Sequence, residues 1–70
     1  MMRSGQLVKL KPHSEIVFSD PEWGSVPYIN ECEKCYCIFL SYSDMTRTCE
    51  VLLDGAVGFN VDPIDLEEVQ

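Results

Sequence analysis

The dipeptide Asp54-Gly55 is the sequence feature that most constrains how this chain can fold. It separates two short runs that are rich in apolar and β-branched residues, TCEVLL (48–53) and AVGFNV (56–61). A two-residue type I′ turn requires positive φ at both central positions, and Asp-Gly adopts it readily between two antiparallel strands. We therefore expect a tight β-hairpin over residues 48–61.

Further strands are predicted upstream of this hairpin. The alternation in QLVKLK favours a strand over residues 6–11, and Ile16, Val17 and Phe18 form a possible short strand. CYCIFLSYS (35–43) is aromatic and apolar on both period-2 faces, which is typical of a central strand. Residues 19–31, with two prolines and a glycine, are predicted to form a long ordered loop.

The end of the chain predicts a short turn and a last strand. Pro63 after Asp62 suits the first position of a single helical or 3₁₀ turn, and residues 67–69 then form the closing strand. No stretch longer than about ten residues shows helical periodicity. The sequence therefore predicts an all-β protein, a small SH3-like barrel of about five short strands with one 3₁₀ or helical turn before the last strand. The alternative is an oligonucleotide-binding-type barrel, for which 70 residues are few; either forms a single domain over residues 1–70.

Three segments carry a resemblance to a known group of proteins. GQLVKL near the start, CEVLLDGAVGFNV and the closing DLEEV resemble the small SH3-like proteins of tailed bacteriophages, especially marine ones. The shared elements are a leading Gly-x-Leu-Val strand, a penultimate strand ending in Asp-Gly, and a closing Asp65-Leu66-Glu67. The resemblance implies the SH3-like fold and a phage origin, and it implies no particular activity because most of these proteins are uncharacterised.

The charge balance disfavours nucleic-acid binding. The chain has 12 acidic and 5 basic residues, a formal net charge of −7, whereas binding to phosphates usually needs clustered Lys and Arg. An Sm-like or KOW-like nucleic-acid-binding barrel would need a basic, aromatic concavity around Lys9, Lys11, Arg47 and Tyr42. An acidic inhibitor that mimics DNA, directed at a host nucleic-acid enzyme, would need its carboxylates in one continuous stripe.

The hydropathy pattern favours a soluble protein. No apolar run approaches the ~18 residues that span a bilayer, and the first residues lack the long apolar segment of a signal peptide. We expect a cytoplasmic protein without membrane contact, in the host cytoplasm if it is phage-encoded.

Four cysteines form the pattern C-x2-C-x-C followed by a distant fourth: Cys32, Cys35, Cys37 and Cys49. A structural zinc site usually has two C-x2-C pairs, and this chain has one. We expect core thiols, with a zinc site, a disulfide and a Cys-x-x-Cys redox site as less favoured alternatives. No metal or other cofactor is predicted.

The sequence predicts no catalytic residues. His13 follows Pro12 in a predicted turn, without Cys, Asp or Ser in a recognisable catalytic pattern. The carboxylates near the end of the chain match no calcium-loop spacing. A chain this short also has few residues to line a deep pocket. We expect that the protein is not an enzyme.

Aromatic side chains are the best candidates for function, since they exceed what so small a core can hold. The predicted binding residues are Glu22, Trp23, Tyr28, Tyr42 and Phe59. In an SH3-like barrel, the first loop flanks a groove that binds extended peptides, although Trp23 would serve equally well as a plug for one end of the barrel. We therefore predict a non-enzymatic protein-interaction module with an unidentified protein partner. Open strand edges would also permit a homo-oligomer.

Overall fold

The computed structural model describes residues 2–69 as one antiparallel sheet of seven strands. In chain order the elements are β1 (Leu7–Leu10), β2 (Glu15–Asp20), β3 (Gly24–Ile29), β4 (Cys35–Ser43), β5 (Thr48–Leu53), β6 (Ala56–Val61), a 3₁₀ turn (Pro63–Asp65) and β7 (Leu66–Glu68). The strand order across the sheet is β3-β2-β6-β5-β4-β1-β7, so β3 and β7 are its edges. The all-β prediction is confirmed, but the sheet is open and has more strands than the predicted five.

Local signals located three elements correctly. Asp54 and Gly55 have φ of +50° and +79°, as the predicted hairpin turn requires, and they join β5 to β6. The strand β4 has the predicted bounds and lies between β5 and β1. Before β7, the Asp62 side chain accepts a hydrogen bond of 3.1 Å from the backbone N–H of Ile64 and so caps the 3₁₀ turn.

The prediction of a long loop over residues 19–31 is wrong, because most of this segment forms a second hairpin, β2–β3. At its tip, the Asp20 carboxylate accepts the backbone N–H groups of Glu22 and Trp23 at 2.7 and 3.0 Å, and Gly24 supplies a φ of +75°. Pro27 lies within β3, where its missing N–H is tolerated because β3 is an edge strand.

One face of the sheet, the inner face, holds the hydrophobic core. Its buried residues are Val8, Leu10, Ile16, Cys37, Phe39, Cys49, Val51, Val61 and Leu66. Gly58 lies on the same face, because it is opposite Phe18 on β2 and Val51 on β5. A side chain at Gly58 would collide with Ile16, so β2 and β6 depend on glycine to approach each other here.

The sheet curls so that distant strands meet. The short connection 11–14 joins β1 to β2, although three strands, β4, β5 and β6, lie between them in the sheet order. Asn30, which is fully buried, closes this junction: its side-chain amide donates to the carbonyls of Leu10 and Lys11 at 3.2 and 3.1 Å. Its backbone N–H also bonds to the carbonyl of Ser14. Asn30 thus holds the end of β3 against the end of β1.

Candidate functional site

A groove lies between the β2–β3 hairpin and the β5–β6 turn. It consists of two adjoining depressions of about 290 and 220 Å³, which share Tyr28, Leu53 and Asp54 in their lining. The β2–β3 hairpin forms one side and the β5–β6 turn forms the other. At one end, the groove reaches the 30–34 connection and the start of β4.

The apolar part of this groove is built around two aromatic rings. Phe18 on β2 and Tyr28 on β3 are in edge-to-face contact, with ring centroids 5.9 Å apart and an interplanar angle of 62°. Leu53 and Ala56, on either side of the hairpin turn, line the opposite wall. Tyr28 is 43% exposed, so its ring is held in place by Phe18 and still accessible to a ligand.

Asp54 gives this groove a negative charge. Its side chain lines both depressions, and the type I′ turn fixes its backbone. Lys34 is the one basic residue among those that line the groove, and it lies at the end nearest β4. The aromatic end therefore presents a carboxylate beside two rings.

The tip of the β2–β3 hairpin carries two of the predicted binding residues. Trp23 is 79% exposed, which contradicts the alternative that it folds back to plug the barrel. Glu22 is exposed beside it. Because Asp20 bonds to both backbone N–H groups, the tip has a defined conformation and adds a second acidic, aromatic surface to the hairpin.

Tyr42 lies away from this groove, at the other end of β4. It lines a separate, largely apolar pocket of about 390 Å³, together with Met2, Phe39 and Pro63. The structure therefore does not bring Tyr42 together with Tyr28, as a single aromatic site would require.

Phe59 lies on the outer face of the sheet, the face opposite the core. Paired positions give that face a continuous apolar row from β3 to β1: Pro27, Val17, Phe59, Val57, Leu52, Ile38 and Leu7. Leu7 and Val57 are 45% and 46% exposed. Every strand of the described chain belongs to the same sheet, so no second layer from residues 2–69 covers the row.

The cysteines occupy different environments. The core prediction is correct for Cys37 and Cys49, which are buried, but Cys35 is half-buried and Cys32 is exposed. Burial is the larger cause, and the nearby Cys35 the smaller cause, of a rise in the pKa of Cys37 to about 11. Burial also raises the pKa of Cys49, with a smaller effect of Asp62. These thiols are neutral at physiological pH and behave as small apolar side chains.

The other candidate groups do not converge. In residues 2–69, no cluster of three or more His, Cys, Asp or Glu side chains is placed to hold a metal ion, and no helix is long and apolar enough to span a membrane. Lys9 pairs with Tyr36 at the start of β4, whereas Arg47 follows the end of that strand. Carboxylates lie on both faces, as Glu50 and Glu68 illustrate.

The sequence pattern missed several residues of the groove. Alternation places Phe18 in a strand without indicating a role for it, and the sequence pattern indicates Asp54 only as a turn residue. Their common side of the sheet follows from strand pairing between β2, β6 and β5, which the sequence does not specify. Comparisons with protein-family models, curated proteins and solved structures found no match to this chain.

Proposed function

We propose that this protein is a non-enzymatic protein-interaction module that binds an extended, basic segment of a partner protein in the groove beside Tyr28. The observation that carries the proposal is the placement of the Phe18–Tyr28 pair and the Asp54 carboxylate in one open groove. Glu22 and Trp23 extend the binding surface along the hairpin. Tyr42 and Phe59 lie outside it.

The chemistry of the groove favours a chain segment with alternating apolar and basic side chains. An extended peptide exposes side chains at regular intervals, so that one can pack on an aromatic ring while the next reaches a carboxylate. Arg and Lys also stack on aromatic faces. The formal net charge of −7 attracts basic segments over a longer range.

Selection from a library of short random peptides, displayed on the surface of a carrier, tests this proposal. We expect the selected peptides to be rich in Arg or Lys next to apolar residues. Tyr28→Ala should weaken their binding by about tenfold, because an aromatic anchor is lost. Asp54→Asn keeps a residue that adopts the type I′ turn and should weaken binding about two- to fivefold through the lost charge. Affinities are measured by fluorescence anisotropy at two salt concentrations.

The matched control for charge is Asp44→Asn, in the turn between β4 and β5. It removes the same charge at the opposite end of β4 and should leave the affinity unchanged. Selection of no peptide, or of peptides whose affinity is the same for Tyr28→Ala and the unmodified protein, would contradict binding in this groove.

Self-association is a second candidate function, favoured by the apolar row on the outer face. The row crosses neighbouring strands from β3 to β1 and measures roughly 24 Å along the curved outer face, at the usual strand spacing of about 4.8 Å. A second copy presents the same row, and the central parts of two such faces can pack against each other about a two-fold axis. Because the outer face is curved, only part of the row can contact a second copy, whereas stable interfaces bury about 800 Å² per partner. We therefore expect a weak dimer with Kd above about 1 μM.

Sedimentation velocity over a range of protein concentrations tests the dimer. The Val57→Glu substitution places a charge in the middle of the row and should leave only monomer at concentrations where the unmodified chain dimerises. Met45→Glu makes the same kind of change at a turn residue that is 96% exposed and should not alter the dimer. If the unmodified chain stays monomeric at millimolar concentration, self-association is excluded as its function.

The kinship with SH3-like phage proteins is part of the proposal. The curled sheet, the tight β5–β6 hairpin and the 3₁₀ turn before the last strand support it. One feature differs from the expected pattern, namely the extra β2–β3 hairpin. The scattered carboxylates and separated basic residues offer less support to a DNA mimic or a nucleic-acid-binding barrel.

A further inference from the structure

Two of the cysteines share one end of the groove. Cys32 and Cys35 both line the depression of about 220 Å³, beside Lys34 and Asp54. Cys37 and Cys49 are 3% and 1% exposed. They also lie far apart on the sheet, since Cys49 is opposite Tyr42 while Cys37 lies several residues earlier on β4. Among the described thiols, Cys32 and Cys35 alone combine access to solvent with a common cavity.

The backbone holds these two cysteines on either side of a bend. Asn30 fixes Cys32 from both sides: its Oδ1 accepts the Cys32 N–H and its Nδ2 donates to the Cys32 carbonyl, each at 3.1 Å. Cys35 is fixed by its pairing with Leu10. The chain bends at residues 33–34 between them. Both cysteines therefore line one depression from a short, anchored segment.

We propose that Cys32 and Cys35 form an oxidisable dithiol that a low-molecular-weight disulfide converts into an intramolecular disulfide. The site lies at one end of the groove, but its oxidation requires no bound peptide, and it goes beyond the proposed function. It differs from a helix-based Cys-x-x-Cys centre, because no helix N-terminus activates either sulfur. The exchange is therefore expected to be slow.

The reaction balances in two exchange steps, with glutathione disulfide as the oxidant. The Cys32 thiol loses its proton and its sulfur attacks one sulfur of glutathione disulfide, so that the S–S bond breaks and one glutathione leaves as a thiolate that takes up a proton. Cys35 then loses its proton and attacks Cys32 Sγ, which releases the second glutathione. Two protein thiols are oxidised by two electrons, and one disulfide is reduced to two thiols.

The order of these steps follows from accessibility. Cys32 is exposed and Cys35 is half-buried, so the oxidant reaches Cys32 first. Burial, the neighbouring Cys32 and Asp54 together raise the pKa of Cys35, which keeps its thiol protonated and slow towards a reagent from solution. Once Cys32 carries the glutathione, Cys35 attacks from within the same cavity at a high effective concentration.

Incubation of the full chain with glutathione disulfide, followed by alkylation and mass spectrometry, tests this inference. We expect a product that has lost two hydrogen atoms, with the bridge mapped to Cys32 and Cys35 by peptide analysis. Cys35→Ser should accumulate a single glutathione adduct on Cys32. Cys32→Ser should react about tenfold more slowly, because the exposed thiol is absent. Cys37→Ala is the matched control and should still form the bridge.

A second reagent tests the proximity of the two sulfurs directly. Phenylarsine oxide binds two neighbouring thiols at once and should bind the unmodified protein but neither Cys32→Ser nor Cys35→Ser. An unmodified protein that stops at the mixed disulfide, forms a bridge with another cysteine, or fails to bind the arsenical would overturn the inference. Peptide affinity does not enter these measurements, so their outcome is separate from that of the proposed function.

Discussion

The substitution Asn30→Asp is expected to destabilise the folded protein by about 3 to 5 kcal/mol, because it places a charge among buried acceptors. In the native protein the Nδ2 group of Asn30 donates to three carbonyls, those of Leu10, Lys11 and Cys32. A carboxylate oxygen at that position repels all three. The loss is a large share of the roughly 4 to 10 kcal/mol expected for a chain of this length.

The effect of Asn30→Asp should also depend on pH. The buried carbonyls favour the protonated carboxyl, which has no charge and regains one donor, so the folded variant binds a proton more readily than the unfolded variant. The destabilisation is therefore greatest at neutral pH and decreases as the pH falls towards about 4. Urea unfolding at several pH values measures it.

Asn60→Asp is the matched control, because Asn60 is exposed on β6. It introduces the same charge and should change the free energy of unfolding by less than about 0.5 kcal/mol. Equal losses for the two variants would mean that the hydrogen bonds of Asn30 do not hold the junction between β1 and β3.

The substitution Gly58→Ala is expected to destabilise the protein by about 1 to 3 kcal/mol through crowding of the core. A Cβ at this position would lie 2.6 Å from Cγ1 of Ile16 and closer still to its Cδ1. Ile16 is fully buried and has little room to move. Replacing glycine in a strand otherwise stabilises by about 0.5 to 1 kcal/mol, so the sign of the change reports whether crowding is the larger effect.

Shortening Ile16 in the same molecule tests this explanation. Ile16→Val alone should cost about 0.5 to 1.5 kcal/mol, but it removes the methyl group nearest to the new Cβ. In a double-mutant cycle measured by urea unfolding, Gly58→Ala should therefore cost less in the Ile16→Val background. Strictly additive losses would show that the two positions do not compete for space.

Sequence reasoning predicted the second half of the chain better than the first. The hairpin around Asp54-Gly55 and the turn after Asp62 depend on φ preferences and side-chain caps that act within a few residues. The strand β3 was missed because Pro27 and Gly24 are strong loop signals. They are compatible with a strand here only because β3 lies at the edge of the sheet, and position in a sheet is a long-range property.

The candidate site shows the same division. The predicted aromatic residues are accessible in the structure to differing degrees, yet Tyr28, Tyr42 and Phe59 lie in a groove, in a separate pocket and on the outer face, respectively. Period-2 alternation assigns residues to one side of a strand. It cannot tell which strands become neighbours, so it did not indicate that Phe18, Tyr28 and Asp54 would line one groove.

The sequence by itself determined the all-β class, the β5–β6 hairpin and the 3₁₀ turn, because each follows from short-range geometry or alternation. It did not separate the buried Cys37 and Cys49 from Cys32 and Cys35. Only the tertiary structure decided the position of the groove, the uncovered outer row and the burial of Asn30. These features depend on the curl that brings β3 to the end of β1, where one amide meets carbonyls from distant parts of the chain. Such pairing is set by the packing of the whole sheet.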